Sequence, residues 1–280
     1  PEREGVKVPS DSEVLALFNK ISSENLPAYI DETVNKPLFS KNVTPGKVVS
    51  KKEINKIGAT ELMLSNGIKV ILKPTDFKND EIMFTSFRFG GTSNASDDIY
   101  QSAAYSSSIL SESGISEFSN TDLSKLLSGK IVNVRASIRE TEETLSGDCS
   151  PTDIEEMFQL IHLKVTEPRK DFEAFQSFME KTASSLQDDK NDPRSVFFDS
   201  INSIFYNYHP RKLPWEISDL NKINLLKAID FYKSRFANMN GFNFVFVGNF
   251  DINKITPLIE KYIGSLPSGK KEESFKDLGI

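Results

Sequence analysis

The chain has 280 residues, 38% hydrophobic and 26% charged, with a formal net charge of −6. That balance suits a globular protein with a sizeable core, and the acidic excess argues against nucleic acid or an anionic membrane surface as the main partner. A single cysteine, Cys149, excludes an internal disulfide and a cysteine-based zinc cluster, and no apolar run nears the roughly 20 residues that a membrane-spanning helix needs.

The polar start, PEREGVKVPSD, has no initiator Met and no signal peptide, which suggests a piece of a longer protein. Residues 1–58 differ in texture from the rest. Ser10-Asp11-Ser12-Glu13 is a capping box that opens a helix to about Ser22, with Val14, Leu15, Leu17, Phe18 and Ile21 on one stripe. Pro27, Pro37, Pro45, Gly46 and several lysines follow, so the stretch reads as a docked helix and an extended connector. For residues 1–9 a disordered leader is an equal reading.

The domain proper is expected over residues 59–280. Leu62–Leu64 and Ile68–Leu72 flank Asn66-Gly67, which predicts a hairpin closed by a tight primed turn. A third strand, Ile82 to Phe89, is broken by Gly90-Gly91. A helix over Asp97 to about Glu112 turns Ile99, Ala103, Ala104 and Leu110 inward, and a short one over Asp122 to Ser128 ends at Gly129. Two strands follow, about Lys130–Arg139 and Thr141–Cys149, with Glu140, Glu142 and Glu143 read as a solvated bend.

Ser150-Pro151-Thr152-Asp153 is a strong helix start. Pro168 is expected to open a longer helix to about Asp188, and Pro193 another to about Tyr206. A polar loop with His209-Pro210 and Pro214-Trp215 leads to a helix over about Leu225–Phe236. The chain closes on a strand, Phe242–Val247, that ends in Gly248, and on a helix capped by Asp251. That helix lines up Ile252, Ile255, Leu258, Ile259 and Tyr262, and Gly264 and Pro267 stop it. The strand is apolar on both sides, so cover on both faces is expected. The order predicts an α+β two-layer sandwich, a mostly antiparallel sheet of about six strands with helices on one face.

Isolated reactive residues support no site by themselves. His209 has the simpler reading of a loop residue packed between Tyr208 and Pro210, and His162 has no second ligand four residues away. Ser102, Ser106, Ser107, Ser108 and Ser111 lack a nucleophile elbow and a base. Gly90-Gly91-Thr92-Ser93 is too short for a phosphate loop.

The segments LSNGIKVILKP, FRFGGTSN, SPTDIEEMFQLI and AIDFYKSRFANMNGFNFVFVGNFD resemble one repeat of the pitrilysin/insulinase family of zinc peptidases, kin to the mitochondrial processing peptidases, over about Ala59 to Pro267. Active members of that family carry His-x-x-Glu-His on the helix after the third strand and a third, glutamate ligand on a later helix. Aligned on this chain, the motif falls on Tyr105, Ser108 and Ile109, and the third ligand on Ser184 or Ser185. Glu112 and Glu180 without a histidine make no zinc site. The resemblance therefore implies a repeat with no catalytic residue and no zinc of its own, the metal belonging to the catalytic repeat of a parent zinc endopeptidase. It further implies a four-repeat parent, with residues 1–58 the linker between halves and residues 59–280 the third repeat, walling a chamber for peptide or unfolded polypeptide. Its partners would be the other repeats, and long bacterial members of the family point to the periplasm. A parent that has lost catalysis in every repeat, a scaffold of the same fold, is the alternative.

Overall fold

The computed structural model describes residues 8–28, 36–269 and 273–280, and the chain divides into two compact units, residues 1–35 and 36–280. In the first, α1 (Asp11–Ser23) starts at the expected capping box. The Ser10 hydroxyl accepts from the Glu13 N–H, and the Glu13 carboxylate accepts from the Ser10 N–H at 2.7 Å. Its apolar stripe, Val14 to Ile21, is exposed. Residues 1–7 of the expected leader lie outside the described residues.

The second unit runs β1 (Val48–Ile54), β2 (Ala59–Leu64), β3 (Lys69–Pro74), β4 (Ile82–Phe89), α2 (Tyr100–Ser113), α3 (Asn120–Leu126), β5 (Val132–Ile138), β6 (Glu142–Cys149), α4 (Ile154–Thr166), α5 (Phe172–Asn191), α6 (Pro193–Phe205), α7 (Ile217–Leu220), α8 (Leu225–Phe236), β7 (Asn243–Gly248) and α9 (Ile252–Leu258). The sheet order is β1-β2-β3-β7-β4-β6-β5. Every neighbouring pair is antiparallel except β3 with β7.

The fold is thus the expected α+β sandwich, with seven strands in place of about six. The added strand, β1, lies in the stretch read as a connector. It is an edge strand whose five middle residues are all exposed, so it carries no alternating apolar signal. Before it, Phe39 sets its ring edge-on against His162 and Tyr262, each at 5.2 Å, so this part of the connector belongs to the domain.

The central strands show why helices cover one face only. In β4, Ile82, Phe84, Ser86 and Arg88 are buried while Met83, Thr85, Phe87 and Phe89 are exposed. In β7, Phe244 and Phe246 are buried and Val247 is exposed, so the expected cover on both faces is corrected to one. On the covered face, Phe84, Phe244, Phe246, Phe158 of α4 and Tyr262 form one stacked aromatic core. Helix α4 is its keystone, with Met157, Phe158, Leu160, Ile161, Leu163 and Val165 all buried.

Four local expectations change. Of the Asn-Gly pair only Gly67 has a positive φ, +83°, and Leu64 and Ile68 close a three-residue loop rather than a two-residue primed turn. Asn66 is spent elsewhere: its amide donates to the Ile263 carbonyl at 2.9 Å, tying the hairpin to the C-terminal helix. Pro168 does not open α5; it bridges back to Ile115, and Asp171 caps the helix by accepting from the Ala174 N–H at 3.0 Å. Pro257 sits inside α9, has no N–H to give, and the chain widens into a π-turn over Ile259–Ile263.

The fourth concerns the acidic bend. Glu143 is fully buried, not solvated. Its carboxylate accepts from the Gly91 N–H at 2.8 Å and faces Arg88 at 3.4 Å and Arg235 at 3.6 Å. Gly91 has φ +71°, and Gly90 leaves no room for a side chain, since a Cβ there would stand 2.6 Å from the Glu143 carboxylate. Arg88 in turn donates to the carbonyls of Arg235, at 2.5 Å, and Asn238, and so caps the end of α8. Glu273 completes the cluster at 2.7 Å from Arg235. Glu140 pairs with Lys212 at 2.5 Å, while Glu142 takes the more exposed Arg139 at 3.1 Å.

Candidate functional site

Helix α2 carries the positions where the family resemblance places a zinc motif. Small side chains let it pack closely: Ser102, Ala103 and Ser106 are buried, as is Ala228 of α8. None of these serines is poised for attack. The Ser102 hydroxyl accepts from the Asn224 N–H at 2.9 Å and seats the start of α8, and Ser106 and Ser113 donate to carbonyls of their own helix.

The three motif positions point to different surroundings. Tyr105 is half-buried between Phe178 of α5, ring centroids 5.8 Å apart, and Trp215, at 4.8 Å. Burial raises its phenol above the ordinary value, so it stays protonated at neutral pH. Ser108 is exposed and lines a cavity at the edge of β5. Ile109 is wholly buried in the core. On α5, Ser184 is half-buried and Ser185 exposed. These residues do not fit a zinc ion: Ile109 has no lone pair, and a phenol and neutral hydroxyls are poor partners beside imidazole or carboxylate. Among the described residues, no group of three or more His, Cys, Asp or Glu is placed to hold a metal.

The remaining reactive groups serve the fold. His162 is buried in α4, and burial pushes its imidazole down to about 4. His209 ends the α6 loop, where its Nδ1 accepts from the Arg211 N–H at 3.2 Å. Arg211 then clamps that loop to the start of α2 through Asp97 at 2.6 Å and the carbonyls of Thr92 and Ala95. Cys149 is buried and its thiol is pushed up to about 12 by burial, so it is inert. The glycines before α2 begin a short 3₁₀ turn and bind Glu143 rather than a phosphate.

Two concave surfaces mark the helical layer. A groove of about 960 Å³ lies between the end of α5, α6 and the loop through Trp215. A smaller cavity, about 240 Å³, lies between α2, α4 and the edge of β5. The second contains a residue that sequence reading passed over, Lys164. The available signal was a lone lysine inside the apolar run Ile161-His162-Leu163-Lys164-Val165.

No protein-family model matches the chain. It is 29% identical over 256 residues to an Arabidopsis thaliana protein named zinc protease PQQL-like, covering 91% of this chain and 24% of that protein. It is 24% identical over 260 residues to the probable zinc protease PqqL of Escherichia coli K12, covering 93% of this chain and 28% of that one. The crystal structure of the E. coli periplasmic protease PqqL superposes with a TM-score of 0.75 at 22% identity, over 96% of this chain and 30% of that chain. The ferredoxin protease FusC, solved with Arabidopsis ferredoxin, superposes with a TM-score of 0.71 at 18% identity, over 97% and 30%. The chain spans about a quarter of the length of the curated relatives it matches. With this sheet order, this helical layer and these relatives, the chain is a homologue of the PqqL-like zinc proteases, of the pitrilysin/insulinase type.

Proposed function

We propose that this chain is a non-catalytic repeat of a longer pitrilysin-type zinc endopeptidase, the third of four, and that it walls the chamber in which the parent encloses peptide or unfolded polypeptide. Residues 1–58 are then the linker between the two halves, though β1 also belongs to the sheet of this repeat. The observation that carries the reading is the chemistry at the motif positions: Tyr105, Ser108, Ile109, Ser184 and Ser185 offer no zinc donor set, on a fold shared with zinc proteases about four times as long. The zinc belongs to another repeat of the parent, and the partners of this one are its sister repeats and the substrate. The apolar open face of the sheet, with Met83, Phe87, Phe89 and Val247 exposed, and the apolar ridge Phe197, Ile204 and Phe205 of α6 give it surfaces to present to them. The periplasm is the compartment we assign to the parent, following the E. coli neighbour.

The test compares this chain with its parent. After incubation with zinc and dialysis, the 280-residue chain is expected to retain no stoichiometric metal and to cleave no quenched fluorescent peptide, whereas the parent does both. Stoichiometric zinc with cleavage by this chain alone would overturn the reading. A parent that neither binds zinc nor cleaves would shift it to a scaffold of the same fold.

A further inference from the structure

Lys164 occupies the last turn of α4 among buried neighbours, and burial lowers the proton affinity of its amine. Among the described residues it has no carboxylate partner. Lys164 is half-buried, and an amine partly withdrawn from water with no carboxylate beside it is placed to meet an anion that enters the cavity. It lines the 240 Å³ cavity together with Ser107, Ser108, Ser111, Ala136 and Tyr232. The Tyr232 hydroxyl is already engaged, donating to the Lys164 carbonyl at 3.0 Å. Ser107 accepts from the Ile138 N–H at 2.8 Å, which leaves its own proton to give. Ser108 and Ser111 enter no described hydrogen bond.

The other wall is a sheet edge. Strand β5 pairs with β6 on one side and, among the described residues, with no strand on the other. Arg139 donates its N–H to the Glu142 carbonyl and the Ile131 carbonyl accepts from Ser150, so the odd-numbered residues of this segment turn toward β6. The even-numbered ones turn outward. The outward N–H of Ile138 is taken by Ser107, while those of Val134 and Ala136 have no strand partner. An edge of this kind accepts an added strand.

We propose that this cavity binds a carboxylate carried by an extended peptide, which adds to the outer edge of β5 and places its acidic group against Lys164 and the hydroxyls of α2. One ammonium and three hydroxyl donors match the single charge and two oxygens of a carboxylate. The doubly charged phosphate lacks a second enclosed cation here, since Lys164 is only half-buried and Arg135, which also lines the cavity, is exposed. A free small acid would leave the outward amides of β5 to water, whereas a peptide uses both features at once. The inference deepens the chamber-wall reading by naming the peptide chemistry this wall takes. It does not need an active parent, so its failure would leave the zinc and cleavage comparison standing.

Fluorescence anisotropy of labelled six-residue peptides with the 280-residue chain tests it. A peptide with a free C-terminal or side-chain carboxylate is expected to bind at least about tenfold more tightly than its amide counterpart. Lys164→Met, which keeps the stem and removes the charge, should erase that difference and leave the neutral peptide unchanged. N-methylation of the acidic peptide at alternate residues should weaken it in one register and not the other, while succinate and inorganic phosphate should fail to compete at millimolar concentration. Equal binding of acidic and neutral peptides overturns the proposal, as does competition by either small anion. Should the Lys164→Met chain lose its near-ultraviolet circular dichroism, amide shifts of the unaltered chain decide: movement at Val134 and Ala136 on peptide addition supports the site, and movement confined elsewhere sinks it.

Discussion

Glu143→Gln isolates the buried ionic cluster that joins β4, β6 and α8. The change is nearly isosteric, but it removes the negative charge facing Arg88, itself only 3% exposed, and Arg235. Glutamine can still accept from the Gly91 N–H with its oxygen, yet its NH₂ group must then face guanidinium donors, and among the described residues only Glu273 remains as a countercharge. Leaving one partner of a buried pair uncompensated costs about 3–5 kcal/mol, a large part of the ~5–15 kcal/mol that holds a domain together. With a urea slope of about 3 kcal/mol per molar, the unfolding midpoint should fall by about 1–1.7 M. The adjacent Glu142→Gln is the internal contrast: its partner Arg139 is 70% exposed on its side chain, so the loss should stay below about 1 kcal/mol. Salt separates the two further, because a buried pair is little screened. Urea titrations at 0.1 and 1 M sodium chloride should give the same Glu143→Gln deficit. A deficit under about 1 kcal/mol, or one that vanishes at high salt, would refute the reasoning.

His162 should make the domain acid-sensitive in a definite window. Its imidazole is pushed from 6.5 in the unfolded chain to about 4 in the fold, so between these values the unfolded state takes up a proton that the folded state refuses. Its contribution is fully present above about 6.5 and is lost as the pH falls toward about 4. At about 1.4 kcal/mol per pH unit the loss amounts to about 3.5 kcal/mol at most, and His162→Gln should flatten that part of the pH–stability curve measured by urea unfolding. Cys149, with its thiol pushed up to about 12 by burial, should react with a thiol-specific disulfide reagent at pH 8 at least about a hundredfold more slowly in the native chain than in 8 M urea. Comparable rates in both states would mean that the end of β6 is not closed.

Much of this fold is legible in the sequence because the signals are local. The capping serines Ser10 and Ser150 and the cap Asp251 sit at or beside the helix starts that their hydrogen-bonding chemistry predicts. The runs Ile68–Leu72 and Phe242–Val247 become strands of the sheet center. Strand β1 was not legible, since an edge strand with no buried middle residue has no periodicity to read. The candidate site was half legible. The absence of imidazole from α2, and of carboxylate from its motif positions, is a matter of letters alone. That Ile109 faces the core, Ser108 a cavity and Tyr105 the rings of Phe178 and Trp215 depends on how α2, α5 and β5 meet.

The sequence by itself determined the alternation of strands and helices, the one-sided helical layer and the lack of zinc ligands at the motif positions, because backbone propensity, capping and donor chemistry act over a few residues. Only the tertiary structure decided that Glu143, beside two half-exposed glutamates, is a buried charge held by Arg88, and that Lys164, with no carboxylate partner among the described residues, lines a cavity at a sheet edge. Both outcomes rest on which charges come together from distant parts of the chain, and electrostatic cost is set by those neighbours and by the exclusion of water, neither of which is written in the order of residues.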